Sequence, residues 1–261
     1  RGRMSTSWLI SSWKRSKAPQ PERGPYMRNL WIDGKNLHDF GITVSGEGTY
    51  NAPEIDYETV TIPGRNGDIL INKNRYKSIP VTYPAGITTD FPKNAAAARL
   101  FLLGNGVKNR RIEDDYNPDT YRMGVFTGPI DFETAFLSRA AEMDLEFLCR
   151  PERWLKAGEQ PIPVENGVAV ANLWMETKPK IDIVGTGNGT ISIGTSTITI
   201  TGMAGGIVID SETENAYYDY ENMNKNIMVS GGFPKLQPGK TTVKFSGGIV
   251  SVQITPRWWT L

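Results

Sequence analysis

The chain has 261 residues, 29 basic and 28 acidic side chains, and a formal net charge of +1. One cysteine (Cys149) excludes an internal disulfide and a Cys-rich metal site, and one histidine (His38) excludes two-His metal motifs. The balanced charge lacks the basic excess of a nucleic-acid binder, and no apolar run approaches the ~20 residues of a membrane span, so neither nucleic acid nor membrane is an expected partner.

The charge is unevenly spread. Residues 1–26 hold six basic groups (Arg1, Arg3, Lys14, Arg15, Lys17, Arg23) and one acid (Glu22), a formal +5; the remaining 23 basic and 27 acidic residues leave the body at −4. Trp8, Leu9 and Ile10 are too short a stretch for the ~7–15 apolar residues of a secretory signal. Residues 1–26 read as a basic leader, disordered or non-native, with the natural start expected at Met27 and residues 18–25 as a linker. A transit peptide or a basic nucleic-acid arm is the competing reading.

From Met27 the pattern becomes organised and β-rich, with 27 Gly and 17 Pro supplying turns. Val60 and Ile62, then Ile69 and Ile71, flank the loop Pro63–Asp68 as alternating strand positions. Ile79, Val81 and Tyr83 alternate around Pro80, which cannot donate to a ladder, so this strand is expected at an edge or a bulge. Asn94–Leu103 (NAAAARLFLL) breaks the pattern. Its alanines favour one short helix, with Pro92 in the first turn and Gly104 as C-cap. Arg111–Asp119 is polar, and Tyr121, Met123, Val125 and Ile130 lead into further strand. Ala141, Met143, Leu145, Phe147 and Cys149 share one parity and alternate with mostly polar residues, so one face is buried and Cys149 is expected to be a structural thiol.

The composition changes after Pro151, and a domain boundary is expected near 151–160. Ile191 and Ile193 are odd, Ile198 and Ile200 even, with Gly194–Thr197 between them. Val243 and Phe245 are odd, Val250, Val252 and Ile254 even, with Ser246–Gly248 between them. Two hairpins of an all-β sandwich are predicted. Gly185, Gly187 and Gly189 (GTGNG) precede a strand rather than a helix, so a turn is favoured over a phosphate loop. Asn188-Gly189-Thr190 matches a glycosylation acceptor, without a secretory signal to support it.

The acidic segment Asp210–Glu214 lacks the glycine and distal Glu of an EF-hand and reads as a solvated loop rather than a calcium site. His38 reads as a surface or turn residue, and carboxylate pairs suited to glycoside hydrolysis are expected by chance among 28 acids. Tyr217, Tyr218, Tyr220, Trp258 and Trp259 are the candidate contact residues, a stacking platform for saccharide or a protein partner; the competing reading is core and edge packing.

Four stretches together resemble the distal tail proteins of long-tailed, non-contractile bacteriophages (siphophages). They are the opening MRNLWIDGKNLHDFGITV; Ile62-Pro63-Gly64-Arg65-Asn66-Gly67-Asp68; Leu145-Glu146-Phe147-Leu148-Cys149-Arg150-Pro151; and Ile209-Asp210 followed by Gly232-Phe233-Pro234-Lys235-Leu236-Gln237-Pro238-Gly239. The resemblance implies a mainly-β chain. Residues 27–155 would form an N-terminal ring domain, a β-sandwich or split barrel with one short helix, and 156–261 a galectin-like (jelly-roll) β-sandwich. It also implies a structural job without catalytic, cofactor or metal residues. Six copies would form a ring, a baseplate hub between the tail tube protein and the tail-tip protein or tail-associated lysin, with a receptor-binding protein nearby. The protein would then sit in the virion at the distal end of the tail and assemble in the host cytoplasm. The alternative function is a carbohydrate-binding module for host cell-wall saccharide, since a galectin-like fold alone does not license sugar binding.

Overall fold

The computed structural model describes residues 28–45, 50–104, 106–135 and 139–261; the predicted leader and Met27 lie outside them. The first half contains β1 (Leu30–Ile32), β2 (Lys35–Asn36), β3 (Ile42–Val44), β4 (Ile55–Val60), β5 (Ile69–Tyr76), β6 (Ile79–Ile87), α1 (Phe91–Leu103), β7 (Arg110–Asp114), β8 (Thr120–Phe126), β9 (Glu133–Ala135) and β10 (Ala140–Leu155). The second contains β11 (Ile162–Val164), β12 (Ala169–Asn172), β13 (Lys180–Ile193), β14 (Ser196–Asp210), β15 (Asn215–Tyr218), β16 (Glu221–Asn222), β17 (Ile227–Ser230), β18 (Gly239–Thr255) and β19 (Trp259–Thr260).

The clearest alternation in the sequence becomes the spine of the first sheet. Ala141, Met143, Leu145, Phe147 and Cys149 of β10 sit opposite Ile87, Ala85, Tyr83, Val81 and Ile79 of β6, and all are buried. Each large apolar side chain so buried contributes roughly 1.5–3 kcal/mol. Burial also pushes the Cys149 thiol up to about 11, as suits an inert structural cysteine. The nine-stranded antiparallel sheet runs β2-β1-β7-β8-β10-β6-β3, with β9 and β19 also paired to β10. The carbonyls of Pro80 and Pro84 accept from Asn51 Nδ2 (2.7 Å) and Ser45 N (2.8 Å), on the side of β6 where β3 stops. A residue's N and C=O share one side of a strand, so both prolines turn their missing donor to the open edge, as Pro80 predicted.

The helix begins three residues before the expected Asn94, with Pro92 in its first turn. Gly104 does cap it, donating to Leu100 O (2.9 Å), but in the right-handed region (φ −66°) rather than the left-handed one. Ala95, Ala98, Phe101 and Leu102 form its buried side. Arg110, 3% exposed, donates to Asp33 (2.8 Å) and to Phe101 O (3.0 Å), and its guanidinium lies 4.4 Å from the Phe101 ring centre. This buried cation ties the end of α1 to the β1–β2 turn and is favourably placed at a helix C-terminus.

The second sheet is eight-stranded, in order β11-β18-β13-β14-β15-β16, with β12 on β18 and β17 on β14. The turn predicted within Gly194–Thr197 is found at 194–195, joining β13 to β14, and Ile191, Ile193, Ile198 and Ile200 are buried together. The second predicted hairpin does not exist. Residues 239–255 are one continuous strand whose parity flips through a bulge at Ile249–Ser251, where Val250 is unmatched between Gly185↔Ile249 and Val184↔Ser251. A bulge inserts an unmatched residue and exchanges faces without reversing the chain, so it mimics a turn in sequence. Ile249, Val252 and Ile254 are therefore buried, while Val250, expected inside, is exposed.

The GTGNG segment is part of the same feature, neither a turn nor a phosphate loop. It lies inside β13, where the register against β14 slips between Gly187 and Gly189 and that against β18 slips between Val184 and Gly189. Backbones approach so closely there that a Cβ on Gly248 would lie 1.7 Å from Thr186 O, and one on Gly185 2.4 Å from Gly248 O. The slips bend three neighbouring long strands at one level. On one side of the bend β12 and β17 flank them, and on the other β11 and β15 do. Residues from both sides, such as Ile183, Ile207 and Val252 with Ile191, Ile198 and Val243, enter one core. The bent sheet thus supplies both layers of a sandwich.

The C-terminus joins the two sheets. Trp259 and Thr260 pair with Trp154 and Arg153 of β10, and Leu155 N donates to Trp258 O (2.9 Å). Gly158 lies against Trp258, where a Cβ would stand 2.2 Å from the backbone nitrogen. Just upstream, Arg257 donates to both carboxylate oxygens of Asp210 (2.7 and 2.8 Å), and Asp210 also accepts from Glu212 N (2.9 Å). Among the acidic residues 210–214, Asp210 is thus an anchor for the terminal segment, while Glu212 and Glu214 are exposed.

Two measurements check this account. Gly248→Ala should lower unfolding free energy by about 2–4 kcal/mol, because two backbones must separate, whereas Val250→Ala at an exposed position should stay within about 0.5 kcal/mol; denaturant titration reads both. The hydrogen bonds from Arg257, assisted by Glu212 N and opposed by burial, hold the Asp210 carboxyl below its usual value of 3.8. Its contribution is therefore complete above about pH 5 and fades as pH falls through the lowered folded value. Asp210→Asn should cost about 1–3 kcal/mol at pH 7 and progressively less toward pH 2 in thermal unfolding.

Candidate functional site

Strands β4 and β5 form a two-stranded sheet that pairs with neither of the large ones. The alternation places Ile55, Tyr57 and Thr59 on one side, opposite Tyr76, Asn72 and Leu70. That side carries no charge, and Ile55, Tyr57 and Leu70 are each more than half exposed. The other side is braced by ion pairs, Arg75–Asp56 at 2.6 Å and Lys73–Glu58 at 3.7 Å. The Arg75 hydrogen bond holds the Asp56 carboxyl below the usual carboxylate range.

The hairpin is anchored at its base. Lys77 N donates to Glu54 O (2.9 Å), and Asn51 bridges Pro80 O and Arg122. A lone two-stranded hairpin is marginal in water, and its outer edges offer unpaired N–H and C=O groups. An uncharged apolar side, ordered but uncovered, is chemistry for protein–protein contact.

The candidate aromatic residues do not form one surface. Tyr217 and Tyr218 lie on β15; Tyr217 is half-buried, and the Tyr218 ring covers Gly205 and Gly206, where a Cβ on Gly205 would meet its hydroxyl at 2.7 Å. Tyr220 is fully exposed in the turn before β16, with positive φ there and at Asp219. Trp258 is buried in the second core and cannot present a ring face. Trp259 is half-buried, and its indole N–H donates to Glu176 O (2.9 Å). The expected platform is thus corrected for the tryptophans, which serve the junction; the sequence could not separate a buried Trp from a displayed one. His38 sits in a short 3₁₀ turn, where its backbone N–H donates to Asn36 Oδ1 (3.0 Å). The sequence marked strands on both sides of Pro63–Asp68 but carried no sign that they stand apart. The alternation of Ile55 and Tyr57 with Leu70 marked a side without charge, not its lack of neighbours.

No family model matches the sequence, and no curated protein matches it. Solved structures do resemble the fold. The Dit protein of phage SPP1, described as a paradigm of the hub adsorption apparatus in phages infecting Gram-positive bacteria, superposes with a TM-score of 0.71 at 15% identity, over 90% of this chain and all of that one. A chain of the phage P2 baseplate in its activated conformation with Ca gives a TM-score of 0.50 at 8% identity, over 88% of this chain and 98% of that one. The mainly-β architecture, with two large antiparallel sheets, the two-stranded β4–β5 sheet and one α-helix among the described residues, shares its fold with the SPP1 Dit protein.

Proposed function

We propose that this chain is a structural hub of a long, non-contractile phage tail. Copies associate head to tail into a closed ring, six by the resemblance, through residues 27–155, while residues 156–261 form the galectin-like sandwich. The ring joins the tail tube to tail-tip and receptor-binding components at the distal end of the virion, and its work is assembly rather than catalysis. The observation that carries this reading is the uncovered side of the β4–β5 hairpin, presented by a fold shared with hub proteins. A heterologous contact needs a projecting element on each copy that finds a different surface on the next, and such contacts close into rings when the rotation allows. The hairpin supplies that element. The saccharide alternative loses the two tryptophans and keeps Tyr218 and Tyr220 as its exposed residues.

The test uses the full chain in sedimentation velocity over a range of concentrations, with negative-stain microscopy alone and beside tail tube and tail-tip proteins. Closed rings are expected. Tyr57→Asp and Leu70→Asp place charge on the uncharged side and should abolish rings while unfolding free energy changes by no more than about 0.5 kcal/mol. A chain that remains monomeric throughout, even with its partners present, overturns the reading.

A further inference from the structure

A second feature lies far in sequence from the hairpin. The turns β13–β14, β14–β15 and β17–β18 converge with the chain before β13 around a cavity of 660 Å³, within the range of small-molecule sites. Its wall is polar. Five hydroxyl residues line it, Ser211 among them, together with Lys178, Lys235, Lys240, a single acid (Glu214) and the half-buried ring of Phe233.

Two observations point to a ligand. Ser211 is 1% exposed, yet its hydroxyl has no hydrogen-bond partner. A buried hydroxyl is normally satisfied, so an unpartnered one on a cavity wall is poised for a group that arrives from outside. The second is charge. Lys178 lies 3.7 Å from Glu212 and Lys235 2.8 Å from Glu176, both exposed pairs that an incoming anion can exchange. Lys240 has no carboxylate partner among the described residues. Three ammonium groups and one carboxylate line the cavity, and with Glu212 and Glu176 paired to two of them, Lys240 is the ammonium left to meet an anion without exchanging a carboxylate.

We propose that this cavity binds a polyhydroxylated anion, a polyol or sugar bearing a phosphate or carboxylate. The lysines take the anionic group, the hydroxyl wall exchanges hydrogen bonds with the polyol, and Phe233 offers an apolar surface to its C–H face. The site is separate from the five aromatic residues considered above and does not depend on ring formation.

Isothermal titration of the full chain tests it, with glycerol 3-phosphate and glucuronate as the two anionic probes and glucose and inorganic phosphate as controls. Saturable binding of at least one anionic probe is expected, with Kd of about 1 mM or tighter, and at least about tenfold weaker binding of both controls. Which probe binds better separates phosphate from carboxylate recognition. Lys240→Glu should weaken binding about tenfold or more, and Ser211→Ala should also weaken it, whereas Tyr220→Ala should leave it unchanged. Lys240→Gln carries the same test should the charge reversal prevent folding. Absence of saturable binding by both anionic probes overturns the proposal. So does binding that survives the Lys240 and Ser211 substitutions. Glucose binding as well as the anions removes the cationic role, and inorganic phosphate binding as well as glycerol 3-phosphate removes the hydroxyl wall; either result overturns it too.

Discussion

Strand β10 is the constraint on which the molecule depends. Its first ten residues press one apolar face into the first core, with β6 on one side and β8 on the other. Between Cys149 and Arg153 the register against β8 shifts, at the segment containing Pro151. Beyond the shift, Arg153 and Trp154 receive β19, the last strand of the chain. One strand therefore belongs to the first core along most of its length and touches the C-terminus at its end. A proline is tolerable there because the ladder is already interrupted. The join is reinforced by contacts that are individually small: the Asp210–Arg257 pair, the Gly158–Trp258 approach and the Trp259–Glu176 hydrogen bond. Backbone pairing holds the two halves in register more rigidly than side-chain contact alone.

The second sheet solves a different problem. Strands of 14, 15 and 17 residues exceed the usual length and would form a long open sheet with one face uncovered. Glycine-rich slips at one level bend all three together. The absence of a Cβ there is a steric requirement set by neighbouring backbones, since Gly185, Gly247 and Gly248 each face a carbonyl at less than contact distance. Both layers then come from the same strands, and the isoleucines on either side of the bend share one core.

This explains what the sequence made legible and what it did not. The period-2 runs were readable because the strands are buried on one face: the pattern of Ala141–Cys149 is reproduced residue for residue in the burial. The Pro80 edge was readable for the same local reason. The parity flip between Phe245 and Val252 was visible, but a hairpin and a bulge leave the same mark, glycines between two alternating runs of opposite parity. Only the neighbouring strand distinguishes them, and β13 lies some sixty residues away in the chain. The candidate contact residues failed where the question was tertiary. Trp258 and Tyr220 are both large aromatics in polar surroundings, yet one is in the core and the other is fully exposed. The isolation of β4 and β5 was invisible because a strand's lack of neighbours is not encoded within it.

The hairpin and the two sheets differ in how they satisfy themselves, and that difference carries the functional argument. Both large sheets hide their apolar faces within the chain, behind α1 and the crossing loops in one case and behind their own second layer in the other. The hairpin does not. Its ion pairs fix one side, while Ile55, Tyr57 and Leu70 stay open to water, which disfavours the ordered state by leaving unrealised the stabilisation that burial gives. Charge spread over both sides would have been the simpler way to keep such an arm soluble and unattached. Its confinement to one side leaves the other an uncharged surface of defined orientation, a property suited to contact in one way rather than many.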